Sequence, residues 1–330
     1  EQIVHKRRAK KFYLKQKEMS QNKDDDTVVI CIDYMQNLPL PHLPVQEVFY
    51  MRQLWLNVFC VHDMKTNRAK MYMYHEGEAN KSPDEVCSML LHYLQMEVFP
   101  LGKKNIVLFS DGPSGQNKNH CVVRFLMNLC DQGLVETISH YFPVRGHSFL
   151  ACDRDFGNIK RVVRRADRVY TPDQYAEMIL KASKTGRFDV IQVRSDMIFS
   201  FSSWWPKHYK KTVSSDETSG RGVPRNEKIP FKVSTYKEFN YNKAERGKVV
   251  VKEFIDGFTS STFTFKKYNT VPELPTEQAY PFGKVPINIK KINDIVKLRK
   301  YTSGYEAFYN SIVQWPTSEA ECNVDREYDD

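Results

Sequence analysis

Two short apolar runs, each closing on an aspartate, constrain this chain most. Thr27–Tyr34 reads TVVICIDY with Asp33 near its end, and Lys104–Ser110 reads KNIVLFS and is followed by Asp111. Neither alternates apolar with polar residues, so each is expected as a strand buried on both faces. An acid at the end of such a strand is costly unless it lies at an open edge or a cation neutralises it.

The segments around these runs predict alternating elements. Tyr50–His62 and Ala69–His75 read as strands joined by a turn over Asp63–Arg68. Ser82-Pro83-Asp84-Glu85 predicts a helix start, with Ser at the N-cap, Pro in the first turn and acids beside the helix dipole. Val86, Met89, Leu90, Tyr93 and Leu94 continue it at helical spacing. Further helices are expected near Asn119–Leu129, Asp153–Arg168 and Pro172–Ala182, with strands over Val135–Val144, Phe188–Phe201 and Val249–Phe265. Three prolines in Asn37–Pro44 predict an extended loop. The order β-β-β-α-β-α-β-α over about 30–170 predicts an α/β fold, a mixed sheet flanked by helices.

The chain of 330 residues has the length of about two domains at ~150 residues each, or of one large domain with arms. Residues 1–26 read as a basic helical arm, 27–183 as the core and 184–330 as an extension. The arm carries Lys6, Arg7, Arg8, Lys10, Lys11, Lys15 and Lys17 with no helix breaker before residue 22. Within the extension, Ser214–Arg225 reads as a mobile loop and Glu319–Asp330 as a disordered acidic tail. The chain starts at Glu1 rather than Met, as a fragment or a processed chain would.

Aromatic residues at 13% and apolar residues at 41% suffice for a core and exclude global disorder. No apolar run approaches the ~18 residues of a membrane span. The net charge of +9 favours a polyanionic partner such as nucleic acid. The seven cysteines (Cys31, Cys60, Cys87, Cys121, Cys130, Cys152 and Cys322) are odd in number and form no CxxC. They read as mostly buried free thiols of a reducing compartment, not as a zinc site.

A third aspartate, Asp153, opens the helix after the fifth strand. Carboxylates brought together from neighbouring strands repel, and a divalent cation turns that repulsion into binding. Oxygen donors suit Mg²⁺ or Mn²⁺, and two ions about 4 Å apart would clamp the attacking and leaving oxygens of a phosphodiester. Each acid taken alone also fits a turn or cap. Asp155 competes with Asp153 for the third position if the segment there is extended. His147 could move a proton or contact phosphate, and equally could be a satisfied structural residue.

Around the acids, Ser110–Asn119 reads SDGPSGQNKN. Its backbone could approach a phosphate, with Gln116, Asn117, Lys118 and Asn119 as contacts, or it could be a polar turn capping a helix. It lacks GxxxxGK[ST] and is not a P-loop. Arg154, Lys160, Arg161, Arg164, Arg165 and Arg168 form a basic stripe suited to tracking phosphates. Trp204 and Trp205, beside Lys207, Lys210 and Lys211, read as a packed pair with a basic edge, with base stacking as the alternative.

Ile32–Pro41 (IDYMQNLPLP), Phe49–Trp55 (FYMRQLW), Ser110-Asp111-Gly112 with Gly115–Asn119, Gly146-His147-Ser148 and Cys152–Gly157 (CDRDFG) resemble a widespread, transposon-derived domain family of animal genomes. The likeness covers about 30–180. It implies a ribonuclease-H-like fold of the DDE-transposase type, with Asp33, Asp111 and Asp153 binding two Mg²⁺ or Mn²⁺ ions. Aspartate stands where glutamate is usual for the third acid, as RuvC-type resolvases tolerate. In such a fold the helix carrying Glu85 faces the metal site; the plainer alternative is an acid stabilising the helix N-terminus. The implied activity is DNA cleavage or strand transfer in the nucleus. RNA stays open as a substrate, and an inactive nucleic-acid-binding module is the alternative. No membrane and no organic cofactor are expected, and a homo-oligomer stays open.

Overall fold

The β-branched run TVVICID can leave no face in water, and it lies at the centre of the main sheet as β1 (Thr27–Tyr34). The computed structural model describes residues 2–211, 213–214, 228–229 and 231–319. The expected Ser214–Arg225 loop and acidic tail lie outside the described residues, apart from Ser214 and Glu319.

Helix α1 (Gln2–Gln21) precedes β1. Then come β2 (Leu38–Leu40), α2 (Gln46–Phe49), β3 (Leu54–Asp63), β4 (Arg68–His75), α3 (Pro83–Tyr93), β5 (Asn105–Ser110), α4 (His120–Asp131) and β6 (Thr137–Tyr141). They are followed by α5 (Ala151–Val163), α6 (Pro172–Lys181), β7 (Phe188–Gln192), α7 (Phe201–His208), and the short pair β8 (Val213–Ser214) and β9 (Lys228–Ile229). The chain continues through β10 (Glu238–Asn242), β11 (Lys248–Lys252), β12 (Ser261–Thr264), β13 (Ile287–Asn288), α8 (Ile289–Leu298), α9 (Glu306–Val313) and β14 (Thr317–Ser318).

The main sheet has the order β12-β11-β10-β6-β5-β1-β3-β4-β7, with β2 beside β3. β1, β3 and β4 form an antiparallel meander, while β5 is parallel to β1 and β6 parallel to β5. The molecule is thus a mixed α/β protein with a large parallel and antiparallel sheet flanked by helices. One face packs Ile30, Ile32, Leu108 and Ile138 against α3, α4 and α7. The other packs Val29, Cys31, Val107 and Phe109 against α1, α5, α6, α8 and α9.

Several elements depart from the expectations. The Pro-rich 37–44 segment contains β2, which pairs with β3 and tolerates Pro39 because it lies at the sheet's margin. The sheet does not stop at the expected 183/184 division: β7 extends one side and β10, β11 and β12 the other. Phe199–Phe201 leads into helix α7 rather than ending a strand. The basic stretch after Pro286 forms α8, whose buried Lys291 donates to Glu76 at 2.7 Å. Helix α1 is docked by Ala9, Phe12 and Gln16, which are buried, while Lys6, Arg7, Arg8, Lys10 and Lys11 stay exposed. Trp204 is packed, with Nε1 donating to Glu273 O at 2.8 Å.

Candidate acidic site at the sheet edge

Strand register brings the first two acids together. Ile32 is the partner of Ser110 in the parallel β1–β5 ladder, so Asp33 and Asp111 follow one residue later on neighbouring strands. Side chains alternate along a strand, so both point to the face that carries Cys31 and Phe109. Helix α5 covers that face, and its Cys152 Sγ lies 3.0 Å from Cys31 Sγ. That contact holds the first turn of α5, with Asp153, above the ends of β1 and β5.

The electrostatics follow from this convergence. Burial raises the proton affinity of Asp33 well above the usual carboxylate range, and the charges of Asp111 and Asp153 add to it. Burial lifts Asp111 to about 6 against the opposing Asn117 hydrogen bond, with Asp153 adding repulsion. Asp153 is also raised by burial, with Leu150 N–H and Lys160 pulling the other way. Among the described residues, none of the three aspartates forms a salt bridge. Asp33 accepts from Tyr34 N–H at 2.8 Å, Asp111 Oδ1 from Asn117 Nδ2 at 2.6 Å, and Asp153 Oδ2 from Leu150 N–H at 2.7 Å.

This donor set suits a hard divalent cation: three carboxylates, two of them in register, two with burial and repulsion driving protons on. As arranged, however, no three His, Cys, Asp or Glu side chains among the described residues stand close enough to hold a metal ion. Coordination by all three would ask Asp153 to share its bond to Leu150.

Two acids expected near this group lie elsewhere. Asp155 is 1% exposed and closes an ion-pair cluster with His62 Nδ1 at 2.6 Å and Arg187 Nη2 at 2.5 Å. It faces the protein interior because α5 is already helical at Ala151, which separates it from Asp153 around the axis. Glu85 is fully buried, accepting from Asn80 N–H at 3.0 Å and Ser82 N–H at 2.8 Å, and from Tyr280 OH. It belongs to α3 on the opposite face of the sheet from Asp33, so it caps a helix and is not a ligand there.

The polar loop also divides its roles. Asn119 Oδ1 caps α4 by accepting from Val122 N–H at 3.0 Å, and its Nδ2 donates to Gln116 O at 2.8 Å. Asn117 is buried against Asp111. Lys118 is buried too, donating to Ser234 O at 2.9 Å with its Nζ 4.9 Å from the Phe142 ring. His147 accepts the Tyr13 hydroxyl through its carbonyl at 3.1 Å, and its ring lies 5.0 Å from His5 of α1. Lys160 donates to Gln36 Oε1 at 3.2 Å, near the end of β1. Arg154 and Arg161 are exposed on α5, and Arg164, Arg165 and Arg168 are exposed beyond its end.

Sequence reasoning missed the hold of Asn117 on Asp111, although Asn117 stood out as a candidate phosphate contact. It missed Lys237, which neighbours Lys118, because nothing local marks a lysine 119 residues away as part of this edge.

Residues 51–223 match the family described as Domain of unknown function (DUF7869). That span is more than half of the 330 residues. The chain belongs to the DUF7869 family. The DUF7869 match contains Asp111 and Asp153, while Asp33 precedes it. No curated protein and no solved structure matches the chain. Among the described residues of this DUF7869 protein, no helix is long and apolar enough to cross a membrane.

Proposed function

We propose that the chain is a metal-dependent nuclease or transposase-like domain acting on DNA, of the ribonuclease-H-like, DDE-transposase type. The observation that carries this reading is the in-register arrival of Asp33 and Asp111 on adjacent parallel strands beneath Asp153, with no salt bridge to any of them among the described residues. Counting β2 as an excursion, Asp33 ends the first strand, Asp111 the fourth, and Asp153 opens the helix after the fifth, as the resemblance implies. A nuclear location and a transposon origin go with this reading.

Asp33, Asp111 and Asp153 would hold Mg²⁺ or Mn²⁺, two ions in this reading, which supply Lewis-acid stabilisation of the charge that builds on a phosphate during cleavage or strand transfer. The side chains themselves do the positioning. Asn117 fixes the orientation of Asp111 through its 2.6 Å bond. Lys160 ties α5 to Gln36, next to the strand end that carries Asp33. Exposed Arg154, Arg161, Arg164 and Arg165 would pair with backbone phosphates.

The test is Mn²⁺-dependent cleavage of DNA by the unaltered chain and by Asp33→Asn. The expected outcome is loss of cleavage by at least ~100-fold with an unchanged circular dichroism spectrum. Undiminished cleavage would remove Asp33 from the site. The second reading, an inactive nucleic-acid-binding module, is favoured by the bond from Leu150 N–H that occupies Asp153. Calorimetric titration with Mn²⁺ separates the two: heat that Asp33→Asn abolishes supports the enzyme, and no heat beside salt-sensitive DNA binding supports the module.

A further inference from the structure

We propose that a single-stranded polynucleotide docks in the groove between α1 and the Glu253–Thr259 turn, with its phosphates on Arg7, Arg8, Lys11 and Lys237 and a base stacked on Phe258. The proposal rests on the polynucleotide reading above and narrows it to a strand whose base faces are free.

The sheet topology puts this groove on the acidic edge. β10 runs antiparallel to β6 with Glu238 opposite Tyr141, and Lys252 of β11 lies opposite Glu238. Lys237 and the turn after Lys252 therefore emerge at the same edge as Asp111. From β5 to β11 is three strand spacings, about 14 Å at ~4.8 Å each. Helix α1 closes the other wall. Its Phe12 packs on Phe109 at 5.7 Å, and its Tyr13 bonds to the loop that leads to Asp153.

Charge in the groove is unbalanced. Arg7, Arg8 and Lys11 line it from α1, and Lys237 lines its inner end beside Phe142. Among the described residues, none of these four forms an ion pair with a carboxylate. Of the two acids on the outer wall, Asp256 is held by Lys15 at 3.2 Å, and Glu253 forms no ion pair among the described residues. Lys237 has Lys118 as its neighbour, and burial together with the Lys237 charge pushes Lys118 down to about 7. An anion placed beside two such neighbouring lysines favours their charged forms, and a row of exposed cations favours a polyanion.

The apolar part of the groove selects among polyanions. Phe258 is fully exposed, and Phe254 is half-exposed with the Arg8 guanidinium 3.8 Å above its ring. Exposed rings interleaved with cations stack on unpaired bases while the cations track phosphates. A duplex hides its base faces, and the carboxylate side chains of an acidic peptide bring no ring of their own.

The test uses fluorescence anisotropy in EDTA, so that no metal chemistry can intervene. The full chain is titrated into a labelled oligodeoxythymidylate of about 20 nucleotides, longer than the ~4–16 that single-strand sites cover. Phe258→Ala is expected to weaken binding by ~5–100-fold at unchanged salt dependence. Arg8→Ala and Lys237→Ala are each expected to flatten the plot of log affinity against log salt by ~0.7. All three positions are exposed or half-buried, and thermal melts confirm folding. Variants that bind like the unaltered chain overturn the proposal. So does a duplex bound as tightly as the strand, or displacement of the strand by polyglutamate or by phosphatidylserine vesicles at matched charge. Intact, Phe258-dependent binding without any Mn²⁺-dependent cleavage would sink the nuclease reading and leave the groove standing. Cleavage untouched by the groove variants, with unchanged binding, would do the reverse.

Discussion

At Asp111, burial and the Asp153 charge both favour the neutral carboxyl and lift its folded value to about 6, above the ~3.9 of an unfolded aspartate. The folded chain therefore holds a proton that the unfolded chain gives up. The stability that comes from this proton is complete below about pH 4 and is lost as pH rises through about 6. Asp111→Asn, which keeps an oxygen for Asn117, is expected to gain roughly 1–3 kcal/mol at pH 8 and almost nothing at pH 4. Urea melts at the two pH values measure this, and equal gains would contradict it. Asp155, by contrast, is held by side-chain partners. Its carboxylate is matched by His62 and Arg187 in the core, so Asp155→Ala strands both partners and is expected to cost about 3–5 kcal/mol. The sequence left Asp153 and Asp155 both open as the third acid. Whether α5 began before or after Asp153 decided the matter, and helix starts are set by tertiary packing as much as by local signals.

Among the elements, those with a strong local signature were legible. TVVICIDY ran as a strand over the whole expected span, and Ser82-Pro83 opened α3 as capping chemistry requires. Asn119 was legible as a cap for α4, one of the two roles open to it. Helix α7 was not, because Trp204-Trp205-Pro206 carries strand-forming aromatics and a helix breaker, whereas the helix is anchored by buried Phe201 and by Trp204, which bonds to Glu273 O. Helix α8 hides Ile292, Ile295 and Leu298 at helical spacing behind its lysines. Helix α1 was legible as a basic helix but not as a docked one, since its buried side chains, among the described residues, are Ala9, Phe12 and Gln16. That thin face makes a clear prediction. Phe12→Ala is expected to remove about 3–5 kcal/mol of docking and to speed tryptic cleavage after the α1 lysines and arginines, while the remaining core survives. An unchanged digestion rate would show that other contacts hold α1.

At the scale of the molecule, the mixed sheet with helices on both faces was legible from strand order, but its width was not. Strands β10, β11 and β12 are short, and β10 starts at Glu238, far along the chain from the end of β7 at Gln192, so nothing local ties Glu238–Asn242 to Thr137–Tyr141. The consequence is an expectation that residues 27–183 do not fold alone. Truncation after residue 183 removes the partner of β6 and uncovers Phe142, which packs on Phe239 at 5.5 Å. The fragment is expected to elute as aggregate on gel filtration where the full chain does not. A monomeric, cooperatively melting fragment would show that the extension is dispensable.

That same pairing sets an order of events at the ribosome. Strand β6 is finished at Tyr141, but β10 ends only at Asn242. About 100 residues must be translated in between, roughly 5–20 s at ~5–20 residues per second. Throughout that interval the growing polypeptide carries an unsatisfied row of amides and carbonyls next to apolar side chains, so the cell's holding chaperones have their longest opportunity on this half-finished margin.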